Sequence, residues 1–294
     1  MSFAYYAPTR MDELLVILAE NQANARILAG GTDLVVEMRE SDQACGCLVS
    51  INKIAALKGI KQEGDTIFVG PLTTFTDLAE SQIIADGAFL LAQAALSAGS
   101  PQVRNQGTVG GNIVNASPAA DTVPALVALE AKLRLSSLKG EREMPLEEFL
   151  VGIGKTQLAP GEVLTGISFK ALPQATGSVF VKLGRRNALS ISRVSVAVIV
   201  GYDPQGLTCT DCRIAVGSVA PNPFRTRSAE KIWLNCSLTR SNREACVAAA
   251  LREISGTLGH RASAGYKKEV APALIRQAID AALGQVFDGW EKSL

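Results

Sequence analysis

The sequence predicts an α+β protein in two parts: a mixed α/β N-terminal region, then a C-terminal α/β region with an antiparallel sheet and helices. Three observations carry this expectation. Residues 1–70 alternate helical and strand patterns. Two long β-rich segments, 192–202 and 207–216, follow one another across the turn sequence Asp203-Pro204-Gln205-Gly206, where Pro presets one dihedral and Gly supplies the unusual one. From residue 227 onward the pattern is helical.

The elements follow in order. Residues 12–21 place Leu14, Leu15 and Leu18 on one face, with Asp12 and Glu13 in the first turn where a helix dipole favours negative charge. A short apolar strand at 26–28 runs into Ala29-Gly30-Gly31-Thr32-Asp33-Leu34, with a helix expected over 34–39 and strands over 48–51 and 66–69. Helices are expected over 73–81 and 88–97. Residues 99–120, polar and glycine-rich, read as one long loop outside any regular element, and loops of that length in compact domains are usually functional. A helix over 122–131 tolerates Pro124 in its first turn. A strand at 132–136 follows, then a loop-like stretch over 140–160 with a helical piece at 146–150. Strands at 162–169 and 179–183 flank a linker at 173–177, which sets the domain boundary. The expected division is 1–173, with subdomains about 1–57 and 58–173, and 178–294. Helices over 227–234, 240–254 and 267–283 complete the chain.

With 294 residues, 47% hydrophobic and 19% charged, the chain can bury real cores. A net charge of +1 removes the electrostatic case for nucleic acid or an anionic membrane as main partner. The longest apolar runs are strand-sized, and no basic segment followed by an apolar core opens the chain, so a cytoplasmic location is expected. Cys45 and Cys47 are one residue apart, Cys209 and Cys212 form C-x-x-C, and Cys236 and Cys246 stand alone. On a regular strand Cys209 and Cys212 face opposite sides, so no metal site is expected. His260, the single histidine, is expected at the surface.

Two glycine-rich stretches carry the chemistry. At Gly30 and Gly31 a strand passes into a helix, which suits an anion held by unsatisfied amides; a tight left-handed turn capped by Thr32 or Asp33 fits the same residues. The pattern is neither a Walker loop nor G-x-G-x-x-G. The second stretch, Gln102-Val103-Arg104-Asn105-Gln106-Gly107-Thr108-Val109-Gly110-Gly111-Asn112, combines small residues with amide and hydroxyl groups. Asp121 follows where it can accept from a sugar-like hydroxyl.

Together these stretches resemble the two FAD-pyrophosphate loops of the medium subunits of molybdenum hydroxylases, the family of xanthine, carbon monoxide and nicotinate dehydrogenases. The likeness includes the preceding Pro101-Gln102-Val103-Arg104-Asn105 and Asp121 after Pro118. It continues through Glu162-Val163-Leu164-Thr165, Phe180-Val181-Lys182-Leu183 with Arg185 and Arg186, Val219-Ala220-Pro221-Asn222-Pro223 and Ser263-Ala264-Gly265-Tyr266. Asn187-Ala188-Leu189-Ser190-Ile191-Ser192 follows the family only loosely.

The resemblance implies a vanillyl-alcohol-oxidase-type FAD domain of two α/β subdomains, followed by a C-terminal α/β domain. It implies a cofactor-binding set of Leu28, Ala29, Gly30, Gly31, Thr32, Asp33 and Leu34 in the first loop and Thr108, Val109, Gly110, Gly111 and Asn112 in the second. Asp121 would hold sugar-like hydroxyls, with Leu164 and Lys182 near the adenine or isoalloxazine. Lys182 also fits a solvated charge on an edge strand, and Arg185 and Arg186 fit solvent, FAD or partner contacts alike. No acid–base pair stands out. The implied function is electron transfer through non-covalent FAD. Electrons would come from 2Fe–2S clusters on a small subunit, fed by a molybdopterin-binding large subunit oxidising a purine or other N-heteroaromatic, and would go to NAD+ or another acceptor. A stand-alone flavin oxidoreductase of the same fold, or a nucleotide-binding scaffold, are the alternatives. Without a cysteine-rich insertion, no additional 4Fe–4S cluster is expected.

Overall fold

The computed structural model describes residues 3–40, 46–186, 189–203, 205, 208–259 and 262–286. Cys45, Pro204, Gly206, His260 and the Asn187-Ala188 pair, with the sequence expectations that fall on them, lie outside the described residues.

The alternation at the N-terminus produces β1 (Ala4–Tyr6), α1 (Met11–Asn21), β2 (Ala25–Leu28), α2 (Leu34–Glu40) and β3 (Cys47–Ser50). The strands form a parallel sheet of order β1-β3-β2, as parallel neighbours joined by crossover helices must. Leu14 and Leu18 of α1 are fully buried against Val49, Ile51, Ile54 and Leu57. Strand β1 was not visible in the sequence: its Ala4, Tyr5 and Tyr6 are all exposed, so no apolar alternation marks it.

The second layer is antiparallel. It comprises β4 (Ile60–Glu63), β5 (Thr66–Val69), β6 (Lys132–Ser137), β7 (Gly140–Pro145) and β10 (Val163–Lys170), in the order β4-β5-β10-β6-β7. Between β5 and β6 run α3 (Phe75–Glu80), α4 (Gln82–Gly87), α5 (Phe89–Ser97), α6 (Pro101–Arg104), α7 (Val109–Val114) and α8 (Thr122–Ala128). Between β7 and β10 lie α9 (Leu146–Phe149), β8 (Leu150–Gly152) and β9 (Lys155–Thr156). Helix α3 starts at Phe75 because Thr74 forms a capping box with Asp77.

Two expectations are corrected here. The stretch 99–120 is not one long loop. Ser100 and Thr108 each accept a backbone amide three residues on, and so cap the short helices α6 and α7. Likewise 140–160 is not loop-like throughout, since β7 pairs with β6 along its whole length.

The C-terminal sheet has the order β11-β12-β13-β14, from β11 (Thr176–Leu183), β12 (Val194–Asp203), β13 (Thr208–Gly217) and β14 (Phe224–Arg225). Val194, Val196, Val198 and Val200 face a core shared with α10 (Arg227–Trp233), α11 (Arg240–Leu258) and α12 (Ala264–Gly284). The alternate residues Ala197 and Ile199, with Phe180 and Ala215, enter the core of the N-terminal helical layer. The sheet is therefore buried on both faces, which explains why β12 reads as an almost unbroken apolar run. A register shift after Gly201 pairs Gly201 with Asp211 but Tyr202 with Cys209, leaving Thr210 as an inserted residue. That bulge overturns the opposite-face expectation: Cys209 and Cys212 are both buried in one core beside Cys246. Contact with those two thiols, together with burial, pushes the Cys212 thiol well up.

Candidate dinucleotide-binding site

A cleft of about 960 Å³ opens between the parallel sheet and the helical layer. This lies toward the upper end of small-ligand and cofactor sites, roughly 300–1,000 Å³. Both glycine-rich stretches line it, as do Asp121 and Leu164.

The first stretch leaves β2 and turns sharply at Gly31, whose φ of +72° is a left-handed conformation that glycine adopts without strain. Gly30 is required for a different reason. A Cβ there would lie 1.9 Å from the carbonyl oxygen of Gln106, so the two stretches touch backbone to backbone at this point. The first helical bonds run from Val35 to the Gly31 carbonyl and from Glu37 to that of Asp33. The amides of Gly31, Thr32, Asp33 and Leu34 consequently donate to no acceptor among the described residues. Neither Thr32 nor Asp33 forms a side-chain cap among the described residues, so the turn is left-handed as expected but not closed by its own side chains. Asp33 is more than a third exposed, and the surrounding protein raises its carboxyl above the ordinary value by desolvation. Leu28 supports the turn from below, while Ala29 and Leu34 line the cleft.

The second stretch is internally satisfied. Val109 donates its amide to the Thr73 carbonyl at 3.0 Å and Gly110 to that of Pro71 at 2.9 Å. Gly111 donates to the Thr108 hydroxyl at 3.1 Å, and Asn112 to the Thr108 carbonyl. Gly110 is held against Pro71 so closely that a Cβ would lie 2.5 Å from the proline's own. At Gly111 a Cβ would meet only the Thr108 hydroxyl, at 3.0 Å, and would otherwise project into open space. Asn112 accepts from the Thr122 hydroxyl at 2.7 Å and from its amide at 3.4 Å, which turns its own NH2 group away from that contact. Val109 is fully buried and serves the core.

Asp121 opens α8. Its Oδ2 accepts from Lys182 Nζ at 2.6 Å, while its Oδ1 is buried without a partner among the described residues. Burial raises the Asp121 carboxyl to about 6, with Lys182 pulling the other way. Lys182 is 11% exposed, which rules out the edge-strand solvating role, and it reaches the cleft only through Asp121. Arg186 donates to the Leu189 carbonyl through Nε and Nη2. Sequence reasoning missed Thr122 as the anchor of Asn112. It also missed Glu162, a cleft residue whose two carboxylate oxygens accept from Arg142 at 2.8 Å each. Nothing local in the sequence links these pairs.

A large cleft floored by two glycine turns, with unsatisfied amides at one end and an unpartnered carboxylate oxygen elsewhere in its wall, defines a dinucleotide-binding protein. The comparisons make this specific. The family model described as FAD binding domain in molybdopterin dehydrogenase matches residues 1–171, and that described as CO dehydrogenase flavoprotein C-terminal domain matches 179–282. The chain belongs to the FAD-binding flavoprotein subunits of the molybdenum hydroxylase family. It is 32% identical to the carbon monoxide dehydrogenase medium chain of Hydrogenophaga pseudoflava, over 95% of this chain and 96% of that one. It is 31% identical to the nicotinate dehydrogenase FAD-subunit of Eubacterium barkeri, over 98% of each. A solved structure of the Hydrogenophaga pseudoflava carbon monoxide dehydrogenase, lacking the Mo-pyranopterin moiety, superposes with a TM-score of 0.91 over 97% of this chain and 98% of that one, at 32% identity. The cofactor of this chain is FAD, and its class is oxidoreductase. Among the described residues no helix is long and apolar enough to cross a membrane.

Proposed function

We propose that the chain holds FAD non-covalently through both loops and relays electrons within a cytoplasmic heteromeric dehydrogenase. In this reading the electrons arrive from 2Fe–2S clusters on a small subunit and originate at a molybdopterin-binding large subunit. The observation that carries the reading is the convergence on one cleft of two glycine-rich stretches, 29–34 and 108–112, that lie 74–83 residues apart in sequence. In it, the Gly31–Leu34 amides face the pyrophosphate, as turn amides without acceptors suit an anion in a nearly neutral protein. Thr108, Gly110, Gly111 and Asn112 form the opposing wall, Asp121 accepts from a sugar-like hydroxyl, and Leu164 packs against a ring. FAD supplies the two-electron carrier; the chain's residues position it and keep it bound. NAD+ or another acceptor takes the electrons in this reading, and a purine or other N-heteroaromatic is the proposed substrate of the complex. The relatives named for nicotinate and xanthine dehydrogenases support that substrate class.

The test is an absorption spectrum of the purified chain, alone and with its partner subunits. Flavin bands released by denaturation, and bleached by substrate only when the partners are present, are expected. Bleaching by substrate with the chain alone would make it a self-sufficient flavoenzyme. A chain that takes up no FAD would end the reading.

A further inference from the structure

Asp33, Glu37, Asp121 and Glu162 line the cleft, and their surroundings differ. Glu162 accepts from Arg142 Nε and Nη2, Glu37 pairs with Arg26 at 2.9 Å, and Asp33 is more than a third exposed. Asp121 alone among them combines a buried, unpartnered oxygen with a cation from the other half of the molecule. Lys182 extends from β11, donates to the Ser97 carbonyl at 3.0 Å, and holds Asp121 Oδ2 at 2.6 Å. The C-terminal half grips the same turn a second time, because Ser218 donates its amide to the Pro118 carbonyl at 2.9 Å.

We propose that Lys182 is a positioning residue for the flavin site rather than a ligand: acting through Asp121, it keeps that carboxylate ionised and turned so that Oδ1 presents an anionic acceptor to a hydroxyl of the bound dinucleotide. This rests on the flavin-site reading above. The geometry separates the two roles, since the Nζ of Lys182 is directed to Asp121 and Ser97 and not to the cleft.

Desolvation opposes ionisation of Asp121, and Lys182 is the cation that offsets it. The other polar groups here are uncharged: Asn112 anchored on Thr122, and the Ser97 carbonyl. The sign follows. A carboxylate is the stronger acceptor, so FAD binding favours the ionised form, and affinity falls as pH drops through the Asp121 titration. The pyrophosphate stays ionised and the flavin ring neutral across that window, so the dependence belongs to the protein.

The experiment is FAD affinity of the full chain, measured by quenching of flavin fluorescence from pH 5 to 8. The wild type is expected to lose about tenfold at pH 5, as one titration centred near 6 allows. Asp121→Asn should bind about tenfold or more weakly at neutral pH and lose the fall in affinity toward pH 5. Lys182→Met should move the midpoint upward, so that the loss already shows at pH 7, and Lys182→Arg should restore it. The deciding variant is the double Asp121→Asn/Lys182→Met, which also removes the uncompensated buried charge and so folds even where Lys182→Met does not. Equality of the double with Asp121→Asn supports the positioning role. A double weaker than Asp121→Asn by the factor seen for Lys182→Met in the wild type would make Lys182 a direct ligand and overturn it. An unmoved midpoint in Lys182→Met overturns it too. A wild-type chain that binds no FAD at any pH overturns the flavin reading itself.

Discussion

The two glycine-rich stretches look alike in sequence and do opposite things with their backbones. The first, around Gly30 and Gly31, leaves the amides of Gly31 through Leu34 without acceptors among the described residues. The second, around Gly110 and Gly111, has engaged the amides of Val109, Gly110, Gly111 and Asn112 within the fold. One stretch therefore keeps its amides free of acceptors among the described residues, and the other is tied into the fold; in the proposed reading the first takes the pyrophosphate and the second forms the wall opposite. The difference also predicts how each will fail: damage to the first should show in cofactor affinity, damage to the second in the stability of the protein with or without cofactor.

The largest effect is expected where the stretches meet. Gly30→Ala would drive its Cβ into the Gln106 carbonyl, a backbone atom that no side-chain rotation can clear. It should cost at least ~3 kcal/mol and remove FAD binding together, as overpacking at a backbone contact separates the two walls. Thermal melts of the apo protein and FAD titration would measure both. A folded Gly30→Ala chain that binds FAD normally would show that the contact does not set the cleft.

A proline scan separates the stretches next. Leu34 and Val109 each stand first in their helices, where proline is tolerated sterically. Thr108 is already extended, with φ −113° and ψ 150°, so Val109→Pro removes little beyond the amide bonded to Thr73. That change should destabilise the apo protein by about 1–3 kcal/mol, because it leaves the buried Thr73 carbonyl without this donor. Leu34→Pro deletes an amide with no internal acceptor. Asp33 lies inside the turn closed by Val35 on Gly31, where a following proline is disfavoured, so the variant should cost the apo protein some stability but less than Val109→Pro, while weakening FAD by about tenfold. Equal losses of apo stability together with equal losses of FAD affinity in the two variants would erase the contrast.

Part of this contrast was legible in the sequence and part was not. The glycines, their order and the alternation of α1, β2 and α2 were visible, because strand-to-turn-to-helix transitions leave local signatures. The helices α6 and α7 were not, although Ser100-Pro101 and Thr108 are good helix starts. Each is only about one turn long, and Gly110 and Gly111 lower the local propensity that would reveal α7. Which amides are free depends on Pro71 and Thr73, dozens of residues away from their partners' pattern. The same holds for Lys182, whose role rests on an ion pair reaching back to Asp121, and for Thr210, whose bulge reverses the face of Cys209. Long-range pairing chooses these features, and a window along the chain does not sample it.

The smallest and sharpest test uses the two threonines. Thr108 caps α7 by accepting from Gly111, whereas the Thr32 side chain lines the cleft and caps nothing among the described residues. Thr108→Ala should therefore cost about 1 kcal/mol of stability whether or not FAD is bound. Thr32→Ala should change the apo protein by less than about 0.5 kcal/mol and reduce only the additional stability that FAD confers. Melting each variant across a series of FAD concentrations distinguishes the two, because a lost cap shifts every curve equally while a lost ligand contact shifts only those with cofactor. If Thr32→Ala costs the apo protein as much as Thr108→Ala, the first turn is held closed by its own side chain after all. Its amides would then be a by-product of a structural turn, and the case for an anion there would rest on the second wall alone.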